Sequence, residues 1–156
     1  MGTTSILLVE DHEVFAKALL RVLSGNKDLN VVAVVESAER ALEQLSDLSV
    51  DLVLADVSLP HMNGINLVGE IRAKYPDLRC AVLSGHLSPD YVQRALEAGA
   101  HGYMVKDNPG GILEGIRHIM KGEVYISKEV GNTLNEPPTA TLPPYGDNPR
   151  STTSNV

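Results

Sequence analysis

A chain of 156 residues is long enough to close one core of ordinary size, and its single cysteine, Cys80, cannot form an internal disulfide. The 20 Asp and Glu against 13 Lys and Arg give a formal charge of -7, so no basic surface is available on average to hold a polyanionic backbone. With 4% aromatic residues, no Trp and one Phe, a stacking platform for single-stranded nucleic acid is excluded too. No direct nucleic-acid contact by this chain and no membrane span are expected, because no segment reaches about 18 apolar residues. The expected setting is soluble and cytoplasmic.

Short runs rich in Val, Leu and Ile recur at Ser5 to Val9, Val31 to Val35, Asp51 to Ala55, Cys80 to Leu83 and Gly102 to Val105. Three lack polar alternation, as strands do when helices cover both faces of a parallel sheet. Helical spacing fills the gaps. Val14, Ala18, Leu19, Val22 and Leu23 form a stripe after the first strand, stopped by Gly25 and Asn26. Ala38, Ala41, Leu42 and Leu45 follow the second, with Ser37 as N-cap, and Leu67, Val68 and Ile71 follow the third before Pro76 blocks continuation. The fourth helix has Ser88 as cap, Pro89 at its first position and Gly99 past its end; Ile112, Leu113, Ile116, Ile119 and Met120 build the fifth, ended by Gly122. Strict alternation implies right-handed crossovers and a ligand crevice at the carboxyl ends of the strands. From Ser127 to Val156 the composition shifts to Pro, Thr, Asn and Gly, which predicts one folded domain over residues 1–126 and a disordered tail or linker remnant over 127–156.

The strand ends carry the chemistry. Glu10 and Asp11 stand together where the chain leaves the first strand, and their repulsion requires compensation; alone, the pair also fits a solvated helix start. Asp56 closes an otherwise apolar strand, so its carboxylate needs a partner. A hard divalent cation such as Mg2+ takes oxygen ligands and uses one or two carboxylates together with phosphate oxygens, so Glu10, Asp11 and Asp56 could converge on one. Ser84 ends the fourth strand with a hydroxyl able to meet a ligand oxygen, or to serve a turn. Lys106 follows the fifth, placed to balance the carboxylates and to stabilise charge on a transferring phosphoryl group.

In combination these residues resemble the receiver domains of response regulators, over roughly residues 5–126. The acidic pair matches Glu10 and Asp11, the phosphorylated aspartate Asp56, the switch hydroxyl Ser84, the switch aromatic Tyr103 and the family lysine Lys106. The stretch from Asp56 to Gly64 is similar to the family's loop in which the residue two past the aspartate, here Ser58, lends its backbone carbonyl to the metal. The run from Ile112 to Ser127 is closest to receivers of the NarL type. The resemblance implies a flavodoxin-like sandwich, a five-stranded parallel sheet of order 2-1-3-4-5 with five helices. Two departures stand out: Glu10 replaces the commoner Asp, and Asp107 rather than Pro follows Lys106.

What the resemblance implies is a phosphorelay protein that takes a phosphoryl group on Asp56 from a sensor histidine kinase or a histidine phosphotransfer protein, with Mg2+ as cofactor and Lys106 neutralising charge. Ser84 and Tyr103 then switch a face read by a downstream protein, with a homodimer also compatible. This is not an enzyme beyond self-catalysed phosphoryl transfer and slow autodephosphorylation. A stand-alone signalling module is favoured, and the receiver half of a DNA-binding transcription regulator is the alternative. A phosphatase of the haloacid dehalogenase type needs a second Asp where Ser58 stands. His12 borders the pocket, His61 and His86 lie on its loops, and His86 is placed to influence water at an acyl phosphate.

Overall fold

The computed structural model describes residues 2–85 and 88–129. In chain order these form β1 (Thr4–Val9), α1 (Glu13–Ser24), β2 (Leu29–Val35), α2 (Ala38–Asp47), β3 (Leu52–Asp56), α3 (Gly64–Lys74), β4 (Arg79–Ser84), α4 (Pro89–Ala98), β5 (Gly102–Val105), α5 (Pro109–Met120) and β6 (Tyr125–Ile126). The expectations for His86 and for residues 130–156 lie outside the described residues.

Alternate side chains of a strand point to opposite faces, and here both faces are covered. Ile6, Leu8, Leu52, Leu54, Ala81, Leu83 and Met104 pack against Leu19 and Leu23 of α1 and Ile112, Ile116 and Ile119 of α5. Leu7, Val9, Val53, Ala55, Cys80, Val82 and Tyr103 pack against Ala41 of α2, Leu67 and Ile71 of α3 and Val92 of α4. This double burial explains why the strands read as unbroken apolar runs. The result is the flavodoxin-like three-layer sandwich that the resemblance implies.

Local chemistry sets the helix starts. Ser37, Asn63, Ser88 and Asn108 each accept a backbone amide of the first turn, from Arg40, Asn66, Tyr91 and Gly111. Gly99 ends α4 at φ 103°, a left-handed conformation that glycine adopts without Cβ strain. Local pattern does not mark Asn63 as a cap, because it sits within a longer turn-like stretch.

The sheet has six strands rather than the expected five, in the order β2-β1-β3-β4-β5-β6, with every pair parallel. The added strand contains only Tyr125 and Ile126, too short to show any periodicity, and the chain reaches it through Gly122 at φ 95°. Packing also continues past Ile126, where the sequence reading ends the domain. Ser127 is buried, its amide donates to the Tyr103 carbonyl at 2.9 Å, and its hydroxyl accepts the Val105 amide at 3.1 Å.

Because β1 lies between β2 and β3, the crossovers leaving it and leaving β3 pass on opposite faces of the sheet. The crevice opened at the carboxyl ends of β1 and β3 is the topological switch point of such a sheet. Glu10 follows β1 there, and Asp56 ends β3.

Candidate functional site

Glu10 and Asp56 are both buried, at 2% and 1% exposure, an unfavourable placement for two carboxylates unless cations face them. Lys106 is that cation. Its Nζ lies 3.0 Å from Asp56 Oδ2 and donates to Glu10 Oε2 at 3.2 Å. The backbone holds the lysine in register: Val105 pairs with Ser84 across β5 and β4, and the Lys106 amide donates to the Ser84 carbonyl at 2.9 Å. The ammonium also lies 4.5 Å from the centre of the Phe15 ring, so α1 supplies a π face over the same charge.

The other Asp56 oxygen, Oδ1, accepts the Ser58 amide at 3.0 Å, which brings the main chain of the loop after β3 against the carboxylate. That loop closes tightly. The Gly64 amide donates to the Val57 carbonyl, and a Cβ at Gly64 would stand 2.2 Å from the Asp56 carbonyl oxygen, so only glycine fits this approach.

Burial, and next the neighbouring Asp56 charge, push the Glu10 carboxyl above its ordinary value; the His12 amide and the Lys106 ammonium pull the other way. Glu10 Oε1 is buried and receives no hydrogen bond, although Lys106 Nζ stands 3.1 Å away without hydrogen-bond alignment. This buried oxygen is a lone-pair donor left over beside Asp56. Glu10, Asp11, His12 and Asp56 each offer a donor atom, all within 4.8 Å of one another. Oxygen donors from two buried carboxylates and the exposed Asp11 suit a hard divalent cation.

Of the residues singled out in the sequence, Glu10, Asp11, Asp56, Ser58, Ser84 and Lys106 lie at neighbouring carboxyl ends of β1, β3, β4 and β5. Tyr103 is fully buried on β5, opposite Val82, one turn of the pleat below this crevice. His12 goes further into the pocket than its border position suggested: its Nδ1 is 3.1 Å from Glu10 Oε2 and 3.5 Å from Asp56 Oδ2. Adjacency to the acidic pair was the only signal for it, and a histidine at a helix start is otherwise unremarked. Phe15 carried no signal, because its ring reaches the lysine only through the fold.

A family model described as the response regulator receiver domain matches residues 6–117. The chain belongs to this family. The receiver is 37% identical over 105 residues to the DNA-binding transcriptional activator DevR/DosR of Mycobacterium tuberculosis, covering 67% of this chain and 48% of that protein. It is 31% identical over 131 residues to the nitrate/nitrite response regulator NarL of Escherichia coli, covering 83% and 61%. Among solved structures, a two-component response regulator of the LuxR family from Aurantimonas sp. matches the receiver with a TM-score of 0.83 and 27% identity, over 86% of this chain and 97% of that one. The receiver thus spans about half the length of the curated relatives it matches. Among its described residues, no helix is long and apolar enough to cross a membrane.

Proposed function

We propose that this receiver accepts a phosphoryl group on Asp56 from the phosphohistidine of a sensor kinase or histidine phosphotransfer protein. The observation that carries this reading is the 3.0 Å approach of Lys106 Nζ to the buried Asp56 Oδ2. A carboxylate oxygen of Asp56 forms the new P–O bond as the P–N bond of the donor breaks, and the donor imidazole leaves with a proton. The Lys106 ammonium then faces the phosphoryl oxygens, and positioning does most of the catalysis in such transfers. Glu10, Asp11, Asp56 and the Ser58 main-chain carbonyl would hold Mg2+, which supplies charge neutralisation for the same oxygens. Ser84, buried at the adjacent strand end, offers the hydroxyl that follows the new group, and Tyr103 below it turns in response, so local charge biases a packed face.

The test is intact-mass spectrometry after treatment with acetyl phosphate and Mg2+. One added phosphoryl group on the wild type and none on Asp56→Asn is the expected result. Equal labelling of both would remove Asp56 from this role, and labelling indifferent to Mg2+ would remove the acidic pair from metal binding.

Two outputs compete. The acidic balance of the chain argues for a protein partner at the face beside Ser84 and Tyr103. The second reading, in which the receiver serves a DNA-binding regulator, is favoured by the DevR/DosR relative, which is named as DNA-binding and of which this chain covers 48%. In that reading the net charge of -7 still speaks against DNA contact by the receiver itself, and a neighbouring domain makes the contact. Duplex binding by the 156-residue chain at physiological salt, with sequence preference, would contradict both versions.

A further inference from the structure

Lys106 can serve Asp56 only if the end of β5 and the loop after it are held in place, and three contacts of the segment after α5 do that holding. In a parallel ladder the Val105 amide would donate to a carbonyl of the neighbouring strand. β6 ends one residue too early for this, and the Ser127 hydroxyl takes the bond instead, at 3.1 Å. The Ser127 amide closes the exchange by donating to the Tyr103 carbonyl at 2.9 Å. Val105 and Ser127 are 3% and 2% exposed, so this amide lies away from bulk water and the hydroxyl is the partner that satisfies it. On the other side of Lys106, Asn108 caps α5 through Oδ1, which accepts the Gly111 amide, while its Nδ2 donates to Glu129 Oε2 at 2.9 Å. The residues before and after Lys106 are therefore both tied to the stretch from Ser127 to Glu129.

We propose that Ser127, with Asn108 and Glu129, is a positioning residue for the phosphoacceptor centre: it fixes the backbone from which Lys106 reaches Asp56 and Glu10. The inference rests on the reading of Asp56 as the phosphoacceptor. It assigns a role to residues that the composition of the C-terminal stretch places outside the domain. Coupling of this kind is reciprocal, so a group arriving on Asp56 that moves Lys106 is felt at the Ser127 amide, where the chain leaves the sheet.

The test measures the rate of Asp56 labelling by acetyl phosphate and Mg2+ at a temperature well below unfolding, together with hydrogen exchange of the Val105 and Ser127 amides. Ser127→Ala is expected to slow labelling roughly tenfold, in keeping with the rate cost of a misplaced catalytic group, and Ser127→Thr, which keeps the hydroxyl, to recover most of it. A chain ended after Glu129 should label like the full chain, and one ended after Ile126 like Ser127→Ala. Glu129→Ala, at a half-buried position with no role in the core, is expected to fold and to slow labelling about twofold to threefold. Phosphorylation of the wild type should change exchange at the Ser127 amide. Wild-type labelling rates in both Ser127→Ala and Glu129→Ala would overturn the inference, as would wild-type labelling in Glu129→Ala alone should Ser127→Ala not fold. An unlabelled wild type would instead overturn the reading of Asp56.

Discussion

Lys106 is bound to Asp56 under conditions that make the pair consequential: the two side chains are 16% and 2% exposed, and the Nζ to Oδ2 distance is 3.0 Å. A buried ion pair of this kind contributes little net stability while intact, but removing one partner leaves the other uncompensated. Here the same ammonium faces a second buried carboxylate, that of Glu10, so the two halves of the pair are not equivalent.

Removing the cation should therefore destabilise. Lys106→Ala leaves Glu10 and Asp56 facing each other without their shared ammonium, and a loss of about 3 kcal/mol is expected, read from urea unfolding at pH 7. A loss below about 1 kcal/mol would show that water or bound cations already screen the carboxylates.

Removing one carboxylate should do the opposite. Asp56→Asn leaves a single Glu10 to Lys106 pair and relieves the Asp56 repulsion that, after burial, raises the Glu10 carboxyl. A gain of about 1 kcal/mol is expected, a rise in Tm of roughly 4 °C for a domain of this size by thermal scanning. An unchanged or lower Tm would mean that the carboxylates do not repel in the folded protein.

Gly64→Ala tests the tight loop. The added methyl meets the Asp56 carbonyl oxygen at 2.2 Å, a backbone atom that cannot swing aside, so the loop must shift against β3. A stability loss of about 3 kcal/mol and slower labelling at Asp56 are expected, by urea unfolding and intact mass. The variant should lose more than its helical position alone would suggest, since alanine is otherwise the better helix former by about 1 kcal/mol.

His101 sets a pH dependence remote from the site. Burial, then the Arg72 and Arg79 charges, hold its pKa below the ordinary 6.5, and its Nδ1 accepts the Cys80 amide at 3.2 Å, a bond the doubly protonated ring cannot keep. Below pH 6.5 the unfolded chain takes up a proton that the folded one does not, so this contribution is complete above pH 6.5 and is lost as pH falls toward the folded pKa. Unfolding free energies at pH 7.5 and 5.5 should converge on replacing His101 with Gln. An equal fall in both proteins would assign the dependence elsewhere.

The periodic parts of the fold were readable from the sequence because double burial writes itself as Val, Leu and Ile runs, as in Leu52 to Ala55. The crowding of Glu10, Asp56 and Lys106 was readable because charged residues at the ends of apolar strands have few places to go. The features that local pattern does not reveal depend on neighbours. Tyr125 and Ile126 are a strand only because β5 offers an open edge, and Ser127 is buried only because that strand stops short. A serine at the start of a Pro-rich stretch reads as polar coil. Similarly, nothing in Phe15 itself announces that it covers a lysine 91 positions further along.

The two margins of the sheet are unequal. The short sixth strand and the Ser127 hydroxyl cover part of the β5 side, whereas β2 closes the other side of the sheet with seven residues, Leu29–Val35, none of them charged and Val34 41% exposed. An uncharged, Val-rich margin with unpaired main-chain groups is a template for another strand, and the charge of -7 keeps copies apart only while the carboxylates stay ionised. Near the isoelectric point of about 5.1 that protection vanishes. Colloidal behaviour should then be governed by one strand: turbidity on acidification should begin at β2, and a single lysine at Val34 should delay it.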